Sequence, residues 1–524
     1  MLKKLRVAIA AIFFICITLL FLDFTGTLHA WLGWMAKIQF IPAVLALNLA
    51  IIVLLVVLTL VFGRVYCSVI CPLGIFQDIV SWINGKRGKK QKNRFSYSPA
   101  KSWLRYTFLA IFIVALVAGV GSLAALLDPY ASYGRIASNL FAPLWQLGNN
   151  FLAWIAERVD SYAFYSTDVW VKSLPTFIIA AVTFIIIAVL AWRGGRTYCN
   201  TVCPVGTVLG FLSRFAMFRP VINADKCRSC SLCSRGCKAS CIDYKNHSID
   251  YSRCVDCMDC IGTCRDGAIS YRFAYGKRHK AGTGPDGGDG AQDGKASADG
   301  GASRRAFLAS AVMAASAATI KAQEMKLDGG LAEIQDKKIP ERATRIVPAG
   351  ALGISHFAQH CTACQLCVSV CPSQVLRPST SLLTLMQPEM SYERGYCRPE
   401  CTKCSDVCPA GAISPVTREE KSSVQIGHAV VIRENCIVNT DGVSCGNCAR
   451  HCPSGAISMV PASPHGQDDG RDNGKGRQHR HGRELRIPVV DVERCIGCGA
   501  CEYLCPARPF SAIYVEGHEM HSIM

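Results

Sequence analysis

The chain has 524 residues, half of them hydrophobic and only 18% charged, with 30 cysteines and a net charge of +18. That length suggests two to four domains and excludes a small disulfide scaffold. The apolar residues are concentrated before residue 200 as long blocks, which excludes a soluble single-domain enzyme. Much of the basic excess flanks those blocks, where lysine and arginine set membrane topology, so no nucleic-acid partner is expected.

Four segments read as membrane spans: Val7–Leu22, Val44–Phe62, Trp103–Leu127 and Pro175–Trp192. Each approaches or exceeds the ~20 residues needed to cross a ~30 Å hydrocarbon core. Trp31, Trp34, Trp103 and Trp192 provide aromatic edges. Lys3, Lys4 and Arg6 precede the first span, and the loop from Arg64 to Ser102 holds eight basic residues against the single acid Asp78. The loop from Asp128 to Leu174 is balanced, with four acids and three bases. The positive-inside rule then places both ends of the four-span unit in the cytoplasm.

A repeat lies within this unit. Gly63-Arg64-Val65-Tyr66-Cys67 leads to Cys71-Pro72-Leu73-Gly74, and Gly195-Arg196-Thr197-Tyr198-Cys199 leads to Cys203-Pro204-Val205-Gly206. Each copy follows an even-numbered span, as in a parallel duplication about an axis along the membrane normal. Cysteines four apart share one helical face. If the copies adjoin, Cys67, Cys71, Cys199 and Cys203 converge at the cytoplasmic membrane surface. They could ligate an extra metal centre, cycle as dithiol and disulfide, line a quinol site, or simply pack around a Cys-Pro turn.

After the membrane domain (1–220) come a two-cluster segment (221–275) and a Gly/Asp/Ala/Ser-rich linker (276–302). Segment 303–320 opens with Ser303-Arg304-Arg305-Ala306-Phe307-Leu308 and matches a twin-arginine export signal or anchor. A chance arginine pair heading an amphipathic helix would give the same residues. The remainder, 321–524, is a second cysteine-rich domain with a low-complexity insertion at 464–482.

Six groups of four cysteines follow the membrane domain. The first two are Cys227, Cys230, Cys233, Cys237 and Cys254, Cys257, Cys260, Cys264. Next come Cys361, Cys364, Cys367, Cys371 and Cys397, Cys401, Cys404, Cys408. The last are Cys436, Cys445, Cys448, Cys452 and Cys495, Cys498, Cys501, Cys505. Four groups keep the strict C-x2-C-x2-C-x3-C run, and two have a widened first gap. Three closely spaced thiolates wrap one face of a cubane while the fourth ligates the other cluster of a pair. Zinc sites use separated ligand pairs instead.

Six [4Fe–4S] clusters are therefore expected. In the first pair, Cys264 joins Cys227, Cys230 and Cys233, and Cys237 joins Cys254, Cys257 and Cys260. Cys241 could substitute for Cys237, and Cys16 reads as an apolar packing residue. Lys238 and Arg265 stand where proline follows the fourth cysteine of the later groups.

No C-x-x-C-H haem motif, Walker A loop or strand-linked G-x-G-x-x-G is found, and His29 is the only histidine within residues 1–220. One-electron chemistry is left. The fold class is thus multidomain: an all-α four-helix membrane unit followed by α+β ferredoxin-like domains.

Residues 1 to about 272 resemble the NapH-type membrane subunit of quinol dehydrogenases, through four spans, duplicated C-x3-C-P motifs and a paired ferredoxin segment. Residues 303 to about 516 resemble the NapG/MauM-type ferredoxin partner, so the chain looks like a fusion of the two. The resemblance implies a quinol dehydrogenase component in the bacterial inner membrane, oxidising menaquinol and passing electrons to a periplasmic reductase or carrier, possible further electron-transfer subunits included. It also implies cytoplasmic placement of the first two clusters and periplasmic placement of the last four. Similarity to four-cluster subunits of molybdenum reductases implies pairing of the first with the fourth C-terminal group and the second with the third. Two alternatives stay open: a membrane redox factor that matures or maintains a metalloenzyme, and the anchored electron-transfer subunit of a molybdenum reductase. No ionisable residue within the spans stands out as a proton acceptor; Asp78 and Asp128, near span ends, are candidates.

Overall fold

A computed structural model describes residues 2–23, 26–86, 95–161, 163–275, 335–462 and 485–524. The linker, the twin-arginine segment, the start of the 321–524 domain and the 464–482 insertion lie outside the described residues.

Two of the expected spans are continuous helices, Leu2–Leu22 and Leu174–Gly194, each of 21 residues. At 1.5 Å per residue each extends about 31 Å. Pro175 at the start of the latter costs no hydrogen bond in the first turn. The other two runs are broken. Val44–Phe62 is interrupted at Leu47, which has φ 50°, and restarts as Leu49–Phe62 with Asn48 Oδ1 accepting the Ile51 N–H at 3.3 Å. Trp103–Leu127 divides at Gly119, φ +72°, into Ser102–Val117 and Gly121–Leu127. Among the described residues only the two 21-residue helices are long and apolar enough to cross a bilayer. Hydropathy counts apolar residues through a break; the backbone does not.

The two ferredoxin-like domains cap opposite ends of this helical unit. At one end Lys3 pairs with Asp259 at 2.8 Å, Phe62 stacks on Phe218 with centroids 6.0 Å apart, and Arg105 donates to Ser252 Oγ at 3.1 Å. At the other end Asn139 donates to Gln365 at 2.7 Å, Trp170 to Gln374 at 2.6 Å, and Lys172 to the Val368 carbonyl at 3.0 Å. The long helices show both ends at once. Leu2–Leu22 runs from Lys3 beside Asp259 to Phe21, which packs at Gly134 with the Cys364 carbonyl. Leu174–Gly194 begins two residues after Lys172 and ends at Gly195, against the backbone of Lys238.

Each cysteine-rich domain is built from short antiparallel hairpins around cysteine loops, as expected for α+β ferredoxin-like units. Phe218–Ile222 pairs with Ile269–Phe273, and Ile242–Asp243 with Ser248–Ile249. In the C-terminal domain Leu376–Pro378 pairs with Pro388–Met390, Ile457–Pro461 with Arg486–Val490, and Val424–Val431 with Ile513–Ile523. Strands this short are only marginally stable alone. Their faces pack on cysteines, as Ile242, Ile249 and Ile269 do around Cys233, Cys237 and Cys260.

Candidate metal centres and the four-thiol core

The four strict cysteine runs share one backbone solution. Residues two and four places after the first cysteine have positive φ: Ser229 and Ser231, Asp256 and Met258, Ala363 and Gln365, Gly497 and Gly499. Alternating left-handed residues turn successive N–H groups toward one concavity, an arrangement suited to an anion. A thiolate-ligated cluster is such an anion.

The cysteines gather as the swap rule requires in the first pair. Cys227, Cys230, Cys233 and Cys264 line one small cavity, and Cys237, Cys254, Cys257 and Cys260 line a second. Cys241 lines the second cavity too, with its sulfur 3.6 Å from Cys237. The Cys241 hydrogen bond, against the effect of burial, brings the Cys237 thiol down to about 7, so Cys237 is the better thiolate of the two.

The C-terminal domain corrects the expected nesting. Cys371 lines a cavity with Cys397, Cys401 and Cys404, while Cys408 lies within electrostatic reach of Cys361, Cys364 and Cys367. Cys452 lines a cavity with Cys495, Cys498 and Cys501, and Cys505 lies within electrostatic reach of Cys448, as Cys436 and Cys445 do. First therefore pairs with second and third with fourth. The physical reason is local: two loops adjacent along the chain exchange their fourth cysteines. The Cys397 N–H donates to the Cys498 carbonyl at 2.9 Å, which joins the two pairs.

Among the described residues no three His, Cys, Asp or Glu groups close tightly enough for a single metal ion. Four sulfurs around a larger void fit a cluster and not mononuclear zinc. When bound, such clusters supply one-electron redox chemistry, and the cysteines named above would hold them.

Cys67, Cys71, Cys199 and Cys203 also come together, buried within the helical unit. After Phe62 the chain reverses at Gly63, φ +74°, and after Gly194 at Gly195, φ +65°. Helix Pro72–Lys86 then runs outward, with Asn84 donating to the Trp192 carbonyl at 2.8 Å near the end of the neighbouring helix. Its start, Cys71-Pro72, is thereby left in the interior. All four thiols are buried.

Two arginines, both fully buried, exchange between the copies. Arg64 Nη2 donates to the Cys199 carbonyl at 3.3 Å and approaches the Cys67 sulfur at 3.8 Å. Arg196 Nη1 donates to the Cys67 carbonyl at 2.7 Å and approaches the Cys199 sulfur at 3.9 Å. Gln77 donates to the Cys199 sulfur at 3.3 Å, and the Gly206 N–H donates to the Cys203 sulfur at 3.3 Å. Reasoning from sequence gave these arginines no role. The available signal was their presence at the same place in both repeats.

Asp78, one candidate proton acceptor, is locked by Arg6 at 3.0 Å, Arg196 at 2.9 Å and Lys238 at 3.5 Å. Lys238 also reaches Asp259 at 2.9 Å, which accounts for lysine in place of proline after Cys237. Nothing in the structure explains Arg265. Asp256, between Cys254 and Cys257, accepts the Arg64 backbone N–H at 2.9 Å, and burial pushes its carboxyl up to about 7.

A chain with these cysteine loops and paired cavities is an iron–sulfur electron-transfer protein of the ferredoxin type. A model described as "4Fe-4S binding domain" matches residues 44–90 and 175–222, and a "4Fe-4S dicluster domain" model matches 396–456 and 443–508. The ferredoxin-type protein MauM of Methylophilus methylotrophus is 33% identical over 176 residues, 32% of this chain and 69% of that protein. NapG of Escherichia coli is 31% identical over 190 residues, 34% of this chain and 75% of NapG. Over that third of its length the chain belongs to the MauM and NapG ferredoxin-type family. An uncharacterized protein of Methanocaldococcus jannaschii is 23% identical across 53% of this chain and 97% of its own length. No solved structure matches.

Proposed function

We propose that the protein is a membrane-bound conduit that oxidises a quinol, menaquinol by its NapH-like character, and passes electrons outward to a periplasmic reductase or carrier. The observation that carries the reading is the capping of opposite ends of one helical unit by two ferredoxin domains. A path from one to the other follows the helices for about 31 Å, close to a bilayer's hydrocarbon thickness.

The outer faces of the helices support lipid contact. Ile9, Ile12 and Ile15, Val53, Leu54 and Val57, Ile113, Val114 and Val117, and Val182, Ile185 and Ile186 are all exposed. Only 22% of the apolar window of each 21-residue helix is buried, unlike the core helix of a soluble protein. A continuous apolar belt of this extent needs lipid or a partner.

A cavity of about 180 Å³ supports quinol entry. Phe21, Leu140, Leu144 and Leu147 form its apolar wall, and Gln146 and Lys172 supply polar groups. Lys172 is bonded to the Val368 carbonyl, adjacent to Cys367, so the cavity borders the Cys361–Cys408 group. Quinol oxidation releases two electrons and two protons. The electrons enter that group one at a time and continue through the Cys397 group to the Cys495 group, where the Cys397 N–H already meets the Cys498 carbonyl.

Protease accessibility in spheroplasts tests the topology. External protease is expected to digest the segment after Lys321, and Arg304→Lys/Arg305→Lys is expected to abolish that digestion. Protection in both, with an external control protein digested, overturns the periplasmic placement. Menaquinol-dependent bleaching of cluster absorbance tests the electron source, and Leu144→Trp, which fills the cavity, should slow it.

A further inference from the structure

We infer that the face of the two-cluster domain around Cys227, Cys230 and Cys264 is a docking port for a small, acidic, soluble one-electron carrier, through which electrons enter from a second source. Only the carrier's compartment, the cytoplasm, rests on the conduit reading above; the port itself does not.

The first argument is exposure. The described residues include all 30 cysteines, and among them Cys230 alone is exposed. Its neighbours on the loop, Arg228 and Ser229, are exposed as well. In the four later groups every cysteine is buried or half-buried. Electron tunnelling falls off exponentially with distance, so a cluster whose ligand lies at the surface is open to a partner. A cluster behind a layer of protein is not.

The second argument is position. The domain is fastened to the helical unit around its inner loop: Arg64 bonds Asp256, Lys3 pairs with Asp259, Arg105 bonds Ser252 and Asp78 pairs with Lys238. The two loops exchange Cys237 and Cys264, so the inner and outer centres adjoin. The outer centre thus has the inner one behind it and solvent in front. A quinol oxidised at the cavity beside Lys172 hands its electrons to the C-terminal domain, at the other end of the helical unit. That route does not use the outer centre. An exposed centre at the end of a series is placed for exchange with something outside it.

The third argument is charge. Around the outer centre Lys226, Arg228, Arg235 and Arg265 are exposed, against Asp225 and Asp266. Asp266 is in part taken up by Arg228, at 3.8 Å. Arg265 directly follows the ligand Cys264, where the later groups have proline, and no contact among the described residues accounts for it. A basic rim attracts an acidic partner and speeds its encounter more than it tightens binding. A carrier that must leave after each transfer needs that behaviour, and electron-transfer encounters are of this small, weak kind. The step is one electron passed from the reduced carrier to the oxidised outer cluster and on to the inner one. No bond is made or broken and no proton moves.

The test uses the full chain, purified anaerobically in detergent, with a reduced plant-type [2Fe–2S] ferredoxin as the acidic probe. Freeze-quench electron paramagnetic resonance follows loss of the ferredoxin signal and gain of [4Fe–4S] signals. Reduced methyl viologen, a small cation, is the control donor. Ferredoxin is expected to reduce the wild-type clusters, more slowly as salt rises. Lys226→Glu/Arg228→Glu should slow that reduction by about tenfold or more at low salt, within the range that steering contributes, and leave the methyl viologen rate and iron content unchanged. Arg265→Glu should slow it less. A double-variant rate equal to wild type overturns the proposal, as does a ferredoxin that reduces nothing in a protein methyl viologen reduces. Should the double variant lose iron, salt and Arg265→Glu decide, and a rate indifferent to both overturns the port. If ferredoxin reduces the clusters and menaquinol reduces none, the quinol reading fails and the port stands.

Discussion

The two copies of the C-x3-C-P motif are near-equivalent in sequence and unequal in charge. Each opens with a left-handed glycine, each arginine reaches the other copy's cysteine carbonyl, and Gly74 and Gly206 each press on the carbonyl of their own copy's first cysteine. Asp78 in the first copy forms an ion pair with Arg196, but the matching position in the second copy is Gly210. A Cβ on Gly210 would lie 2.5 Å from the Ser252 carbonyl and 2.6 Å from Arg105 Nη2. The space a carboxylate would need is taken by the two-cluster domain. Docking of a ferredoxin domain against one copy therefore leaves no carboxylate at Gly210, and the carboxylate that Arg64 meets, at its backbone N–H, is Asp256 of that domain.

Removing the carboxylate from the paired side should have the largest effect. Asp78→Asn leaves Arg196 buried without its partner and also deprives Arg6 and Lys238. Breaking a buried pair costs on the order of 3–5 kcal/mol. Thermal unfolding in detergent, followed by loss of cluster absorbance, should show a marked fall. A stability equal to wild type would mean that Arg196 does not depend on Asp78, and the contrast between the copies would disappear.

The reversals at the two glycines offer a smaller and matched effect. Alanine at Gly63 would place its Cβ on the Asp256 carboxylate, and at Gly195 would place it 2.6 Å from the Lys238 carbonyl. Both positions also have positive φ. Strain of this kind costs roughly 1–3 kcal/mol at each site. Gly63→Ala and Gly195→Ala should therefore destabilise to similar degrees, because both pivot against the same ferredoxin domain. A large effect at only one would show that the copies differ in backbone as well as in charge.

How legible was this in the sequence? The cysteine groups and the swap within the first pair could be read directly, because ligand spacing is a local property. Nesting in the C-terminal domain could not, since spacing identifies ligands and not which loop lies opposite. The left-handed positions were equally hidden: Ser229, Ser231, Asp256, Met258, Ala363 and Gln365 are not glycine, and cluster geometry overrides their usual preference. The meeting of the four thiols could be anticipated from the repeat, but the part played by Arg64 and Arg196 could not. Arginine usually marks a helix end, whereas here both side chains turn inward toward sulfur. Capping of opposite ends rests on contacts such as Asn139 with Gln365, 226 residues apart, which no local pattern encodes.

The smallest effect is expected at Lys238, where the cluster loop meets the second copy. Its side chain is 17% exposed, and its ammonium bridges Asp259 at 2.9 Å and Asp78 at 3.5 Å. Both acids keep another basic partner, Lys3 for Asp259 and Arg196 for Asp78. A partly solvated bridge of this kind is worth about 1 kcal/mol or less. The Lys238 backbone carbonyl, which accepts the Arg196 N–H at 2.9 Å, is untouched by a side-chain change. Lys238→Ala should thus leave cluster content and docking intact and lower the unfolding temperature only slightly, with the difference shrinking as salt screens the charges. Loss of a cluster signal in this variant would show instead that the side chain, and not the carbonyl, fastens the two-cluster domain to the second copy.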